Sequence, residues 1–149
     1  MRTIEDDLYN VIHMNLIGIT CAIAAFMGIW MGHVAVRRIE FNARSLTFPI
    51  LGMLFGGLAL GTLSALTWNV HLSSALGIIG ITLLWDALEF VRQERRVRKG
   101  HAPANPNNPR HAIILKEYPS ATMLDPLRRE PRGLPYSADE LKSLSAGDS

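Results

Sequence analysis

Residues 71 to 100, HLSSALGIIGITLLWDALEFVRQERRVRKG, constrain this chain more than any other stretch. Leu72 to Val91 is apolar over about the 20 residues that a helix needs to cross bilayer hydrocarbon. Arg92, Arg95, Arg96, Arg98 and Lys99 follow at once, and such a run keeps its end of a span in the cytoplasm. Gly100 stands where a residue with positive φ would close the helix. One helix is therefore expected to leave a membrane and to continue about two turns into water.

Two further apolar runs come earlier. Asn15 to Val36 is read as a first span, followed by Arg37, Arg38, Glu40 and Arg44. Thr47 to Trp68 is read as a second, with Pro49 in its first turn, where a missing N–H does little harm. The connection Asn69 to His71 is so short that spans two and three must form an antiparallel hairpin. The segments after spans one and three are basic, the N-terminal end carries Glu5, Asp6 and Asp7, and the second loop is uncharged. The expected architecture is an all-α membrane protein with three transmembrane helices, N-terminus outside and C-terminus cytoplasmic. A net charge of +2 and a mean hydropathy of +0.16 conceal this, because the charges gather outside the apolar runs. Residues 1–14 read as an N-terminal interfacial segment, with Ile4, Leu8, Val11 and Ile12 on one face and a start marked by Thr3 and Asp6. The acidic start is not that of a secretory signal peptide.

From His101 the character changes. HAPANPNNPRH is too rich in Pro and Asn to prolong a helix, and HAIILKEYPSATML has an extended look. Ser137 and Glu140 form a capping box for a short last helix up to Leu144. Residues 101–149 are expected to be a Pro-rich cytoplasmic tail with little regular structure, unable to bury a core of its own and therefore bound to a partner protein.

Small residues mark the surfaces on which helices can approach closely. Gly52 with Gly56 and Gly57 with Gly61 are two GxxxG pairs, and Gly77 and Gly80 lie in span three. Whether the partner is another helix of this chain or of another chain is open. Cys21 is the single cysteine and reads as a small packing residue. Trp30, Trp68 and Trp85 fit anchoring at membrane borders or packing.

The residues able to carry chemistry are His33, Glu40, Asp86, Glu89 and Arg96, with Gln93 on the same helical face as the last three. Ionisable groups at membrane depth face protein or water and need partners. The expected pairs are His33 with Glu89, and Glu40 with Arg96 or another loop arginine. An interhelical polar clamp is the favoured reading, and a proton or metal site near the inner face is the sharper one. The ligands are too few and too irregularly spaced for a metal centre, so none is expected. His33 could instead ligate a haem or a chlorophyll-type pigment, although His13 and His71 fall near the opposite face and cannot supply a second axial ligand. Arg92, Arg95, Arg96, Arg98 and Lys99 read as contacts to anionic lipid headgroups or as a docking surface for an acidic partner. No P-loop, nucleophile elbow, CxxC or HExxH occurs, and basic residues clustered beside the spans do not suit nucleic-acid binding.

Gly18, Phe26, His33, Val36 and Glu40, then Leu72-Ser73-Ser74, Leu76-Gly77, Gly80, Leu84-Trp85, Glu89, Gln93, Arg96-Val97, Lys99-Gly100, Pro103 and Asn105-Pro106 form a distinctive pattern. Through these residues the stretch from Leu16 to about Arg110 resembles a family of small bacterial membrane proteins known as domain of unknown function 4491. The resemblance implies three spans and the bacterial inner membrane, and it brings no activity, ligand or catalytic residue. The tail beyond Arg110 looks like an extension to that pattern. The function expected from all of this is that of a non-catalytic accessory or structural subunit of a larger membrane complex of the energy-transducing kind, its helices packed on other integral subunits and its tail fastening neighbours. The alternatives are a small oligomeric transporter or ion-handling protein using His33, Glu40 and Glu89, and a haem- or pigment-bearing subunit.

Overall fold

A computed structural model describes residues 4–128 and 131–146, and of these the side chains of 6–15, 145 and 146 are outside the description. Among the described residues five α-helices follow one another: α1 (Ile4–Asn42), α2 (Thr47–Leu66), α3 (Val70–Arg98), α4 (Pro109–Glu117) and α5 (Ala138–Ala146), with a 3-10 turn at Pro126–Arg128 before the last. No strand occurs among the described residues. The chain divides into two compact units: residues 1–35 with 49–88, and residues 36–48 with 89–149.

The first unit is built from three rods. The helices that run through it are long and apolar enough to cross a membrane over Leu16–Asn42, Thr47–Leu66 and Val70–Arg98. Phe26, Phe55, Leu66, Trp68 and Ile81 are all exposed, so the apolar surface points outward as well as inward. Water would not tolerate so much uncovered hydrocarbon on an isolated domain of this size. Asn69 opens α3 by accepting the Leu72 N–H on its side chain at 3.0 Å. Just inside that turn the Ser64 hydroxyl donates to the Ser73 carbonyl at 2.7 Å, and the Ser73 hydroxyl returns the bond to the Ser64 carbonyl at 2.9 Å. This reciprocal pair stitches the expected hairpin. Further along, a Cβ on Gly57 would stand 2.8 Å from the Gly80 carbonyl, and one on Gly80 would stand 3.0 Å from the Gly57 carbonyl. The two backbones touch there, as the small residues allowed.

The rods α1 and α3 run in the same direction. Gly28 faces Thr82 and Gly32 faces Asp86, four residues on in each case. A methyl group on Gly32 would collide with the Asp86 carboxylate, and one on Gly28 would come within 2.9 Å of the Thr82 hydroxyl. The third helix therefore lies in a Gly28–Gly32 groove that went unnoticed in the sequence, whereas Gly52 and Gly61, expected to pack, meet nothing within 4 Å. Backbone helix is continuous from Ile4, but the face presented by the expected interfacial segment lies outside the described side chains, as do Thr3 and Asp6.

The tail holds more regular structure than expected, with α4 in the stretch read as extended as well as the short last helix. Val97 of α3 and Ala102, Ala104 and Ile114 of the tail form a buried cluster, with Leu115, Tyr118 and Ala121 packed against it. Phe90 and Val36 are also buried. The tail does not need a core of its own, because it borrows the ends of longer helices. Gly100 makes this possible: with φ at 70° it ends α3, its N–H bonds to the Val97 carbonyl at 3.1 Å, and the His101 N–H bonds to the Arg96 carbonyl at 2.8 Å. This paired closure of the last turn is the Schellman arrangement. The segment expected to be extended is α4, whose inward face carries His111, Ile114, Leu115 and Tyr118 at helical spacing. The capping box forms as read, Ser137 N–H to Glu140 Oε2 at 2.7 Å and Glu140 N–H to Ser137 Oγ at 3.2 Å, ahead of α5.

Candidate functional site

The end of α1 leaves carbonyls without intrahelical partners. Three side chains from the turn 105–110 satisfy them. Asn105 donates to the Phe41 carbonyl at 3.1 Å, and Asn108 donates to the carbonyls of Phe41 and Ala43 at 3.1 and 3.0 Å. Arg110 donates to the Glu40 carbonyl at 2.6 Å. Asn108 is also the N-cap of α4, accepting the Arg110 N–H at 3.1 Å ahead of Pro109, which fits the first helical position. One amide thus closes one helix and opens another.

Glu40 lies at the centre of this junction, 1% exposed. Its Oε1 accepts from Arg110 Nη2 at 2.9 Å and stands 2.9 Å from His111 Nε2. His111 Nδ1 accepts the Asn105 backbone N–H at 2.8 Å, so the ring proton sits on Nε2 and is donated to Glu40. The 3.1 Å approach of Arg110 Nη2 to Nε2 is then a contact of two donors. Phe41 meets the imidazole edge to face, with centroids 6.2 Å apart. Arg110 extends the chain of charges through Nη1 to Glu94 Oε2 at 2.9 Å. Glu94 is also paired with Arg98, which lies over the Tyr118 ring at 5.1 Å and donates to its hydroxyl at 3.1 Å. Two carboxylates and two guanidiniums alternate, so the buried network carries no net charge. A buried carboxylate is tolerable only when paired and hydrogen-bonded in this way.

Glu89 belongs to a separate cluster. Arg96 Nη2 is 2.6 Å from its Oε1, off the hydrogen-bonding direction, and Arg92 Nη1 is 3.5 Å from its Oε2. Arg96 also donates to Gln93 Oε1 at 3.0 Å. In the first unit, His33 and Asp86 line one cavity of about 370 Å³ with Ile29, Ile81, Thr82 and Trp85. Asp86 also borders an apolar cavity of about 340 Å³ walled by Met27, Met31 and Met53.

The five residues read from the sequence as one clamp are thus distributed over three places. Glu89 and Arg96 pair with each other, and Glu40 pairs not with Arg96 but with Arg110, an arginine from the stretch read as loop, and with His111. Glu89 takes arginines where His33 was expected. Of the basic run, Arg98 is turned inward to Glu94 and Tyr118, while Arg92, Arg95, Arg96 and Lys99 are exposed. No group of three or more His, Cys, Asp and Glu side chains able to hold a metal ion occurs among the described residues. Arg110, His111, Asn105 and Asn108 were missed as a site. The signal that could have found them is Asn-Pro at 108–109, a helix start in a stretch read as loop.

The family model for Domain of unknown function (DUF4491) matches residues 15–108. The chain belongs to this family. Neither a curated protein nor a solved structure matches it. The region shared with the family contains Glu40, Asp86, Glu89 and both capping asparagines, and it stops just short of Arg110 and His111.

Proposed function

We propose that this chain is a non-catalytic accessory subunit that spans the bacterial inner membrane three times and holds a larger complex together. The observation that carries the reading is the engagement of the acidic groups: Glu40, Glu89 and Glu94 are each paired with arginines, Glu89 within α3, and Glu40 and Glu94 through Arg110, which joins separate segments of the chain. Groups fixed in this way stiffen a head and leave little to act on a substrate. Gly52 and Gly61, on opposite sides of α2, each leave open space in which another integral subunit could pack closely. In this reading the N-terminus is outside and the basic segments after α1 and α3 are cytoplasmic, as the arginine distribution favours.

The fastening role belongs to the outer part of the tail. Residues up to Thr122 are tied to this chain, the Ala104 N–H bonding to the Thr122 carbonyl at 2.8 Å. Beyond them Met123, Leu127, Leu134 and Leu144 are half exposed or more, which gives a partner apolar purchase. The test is to end the chain after Gly133, which keeps the buried Pro126 and the Gly133 N–H bond to its carbonyl, then to solubilise the membranes gently and compare what co-purifies. Loss of co-purifying subunits with an unchanged melting temperature is expected. A truncated chain that retains the same companions overturns the proposal.

The cavity holding His33 and Asp86 is the one observation that favours an ion-handling protein or a haem- or pigment-bearing subunit. Glu40 and Glu89, which the transport reading also required, are bound to arginines. Flux measured in liposomes and an absorbance spectrum of the purified chain test these two alternatives.

A further inference from the structure

Arg37, Gln93, Arg96, His101 and Asp125 line a cavity of about 220 Å³ in the second unit. Four of the five can donate hydrogen bonds. Arg37 is exposed and makes no ion pair among the described residues. Gln93 is 5% exposed and gives its carbonyl oxygen to Arg96, which leaves its amide N–H groups without a protein partner among the described residues. Asp125, the one acid of the lining among the described residues, accepts the Leu127 N–H at 3.0 Å on its Oδ1. The cavity therefore offers the Arg37 guanidinium and the Gln93 amide as donors without a protein partner among the described residues, and the chemistry that matches them is an anion with several acceptor oxygens.

The place of these residues in the sequence identifies the source of that anion. Arg37 directly follows the first apolar run, and Gln93 and Arg96 directly follow the third. In a chain that spans a membrane these positions fall at headgroup depth on the cytoplasmic side, where basic pockets meet anionic lipids. We propose that this cavity binds the phosphate of an anionic phospholipid, held by Arg37, the Gln93 amide, Arg96 and His101. The inference rests on the membrane-spanning reading for the source of the phosphate, and on the cavity alone for the anion.

The experiment uses the full chain in mild detergent and in vesicles. Native mass spectrometry after incubation with phosphatidylglycerol or phosphatidylcholine measures lipid retention, and a melting curve with inorganic phosphate measures binding of the free anion. Wild type is expected to retain one phosphatidylglycerol in preference to phosphatidylcholine. Arg37→Gln should weaken that retention about tenfold, the effect of losing one charge-assisted hydrogen bond, while the neighbouring Arg38→Gln leaves it unchanged. His101→Glu, which puts a carboxylate in an exposed wall of the cavity, should expel the lipid as well. Stabilisation by inorganic phosphate that needs Arg37, without lipid retention, keeps the anion site and overturns its lipid source. Equal behaviour of Arg37→Gln and Arg38→Gln in both arms overturns the site. A chain that fails to float with vesicles overturns the membrane reading, and the phosphate arm then still reports on the cavity.

Discussion

His111 donates its Nε2 proton to Glu40 over 2.9 Å, joining residues 71 positions apart in the sequence. Both side chains are essentially without solvent exposure. The bond is one of two that keep a carboxylate charge out of water, the other coming from Arg110. Replacing Arg110 with Met removes the countercharge and leaves Glu40 buried beside a neutral imidazole. The expected cost is about 3–5 kcal/mol of stability, read from a denaturant titration in mild detergent. Pairing Arg110→Met with Glu40→Leu should recover a large part of the loss, because the unpaired charge is then gone.

His111→Ala removes a donor from Glu40 and an acceptor from the Asn105 N–H at once. The expected loss is about 1–3 kcal/mol for the stranded polar groups, with a further cavity penalty for the missing ring. The reporter is amide exchange at Asn105, which should speed up in the variant. Unchanged exchange there would mean that the imidazole does not hold this turn.

The glycines of the spans should divide sharply. Gly32→Ala drives a methyl group into the Asp86 carboxylate and should cost about 1–3 kcal/mol. Gly52→Ala and Gly61→Ala meet open space and should change stability by less than about 0.5 kcal/mol. If α2 packs on a second integral subunit, the same two substitutions should nevertheless reduce co-purification.

Gly100→Ala forces a side chain into positive φ and towards the Ser120 carbonyl. A loss of about 1–3 kcal/mol is expected from the backbone alone, and faster amide exchange at His101 should accompany it.

Topology is open to a direct test on a Cys21→Ala background. A cysteine at position 68, where Trp68 is 99% exposed, should react with an impermeant maleimide added to intact cells. A cysteine at position 107 should react only after the membrane is breached. The reverse pattern would invert the orientation proposed here.

The long helices were legible because apolar runs and flanking charges act over many residues, and Gly100 and the Ser137–Glu140 box were legible because caps are local. Packing within the spans was harder to read. GxxxG names a surface without naming its neighbour: Gly57 packs on Gly80, Gly28 and Gly32 add an unforeseen contact with α3, and Gly52 and Gly61 face open space. The junction around Glu40 was the least readable part. Its partners come from sequence positions 70 and 71 residues away, and the asparagines that serve it look like ordinary loop residues until the helix end they cap is in place. His111 also hid α4, since a polar residue on the inward face broke the apolar rhythm that marks a helix.

Asn108 contributes to two helix ends that are made at different times. Phe41 leaves the ribosome 67 residues before the amide that will cap its carbonyl. During that interval the second and third apolar runs are translated, while the first rod still carries an unfinished terminus. These caps on its last turn can form only once the stretch beyond the third run has emerged, so the second unit is completed after both later rods have been made.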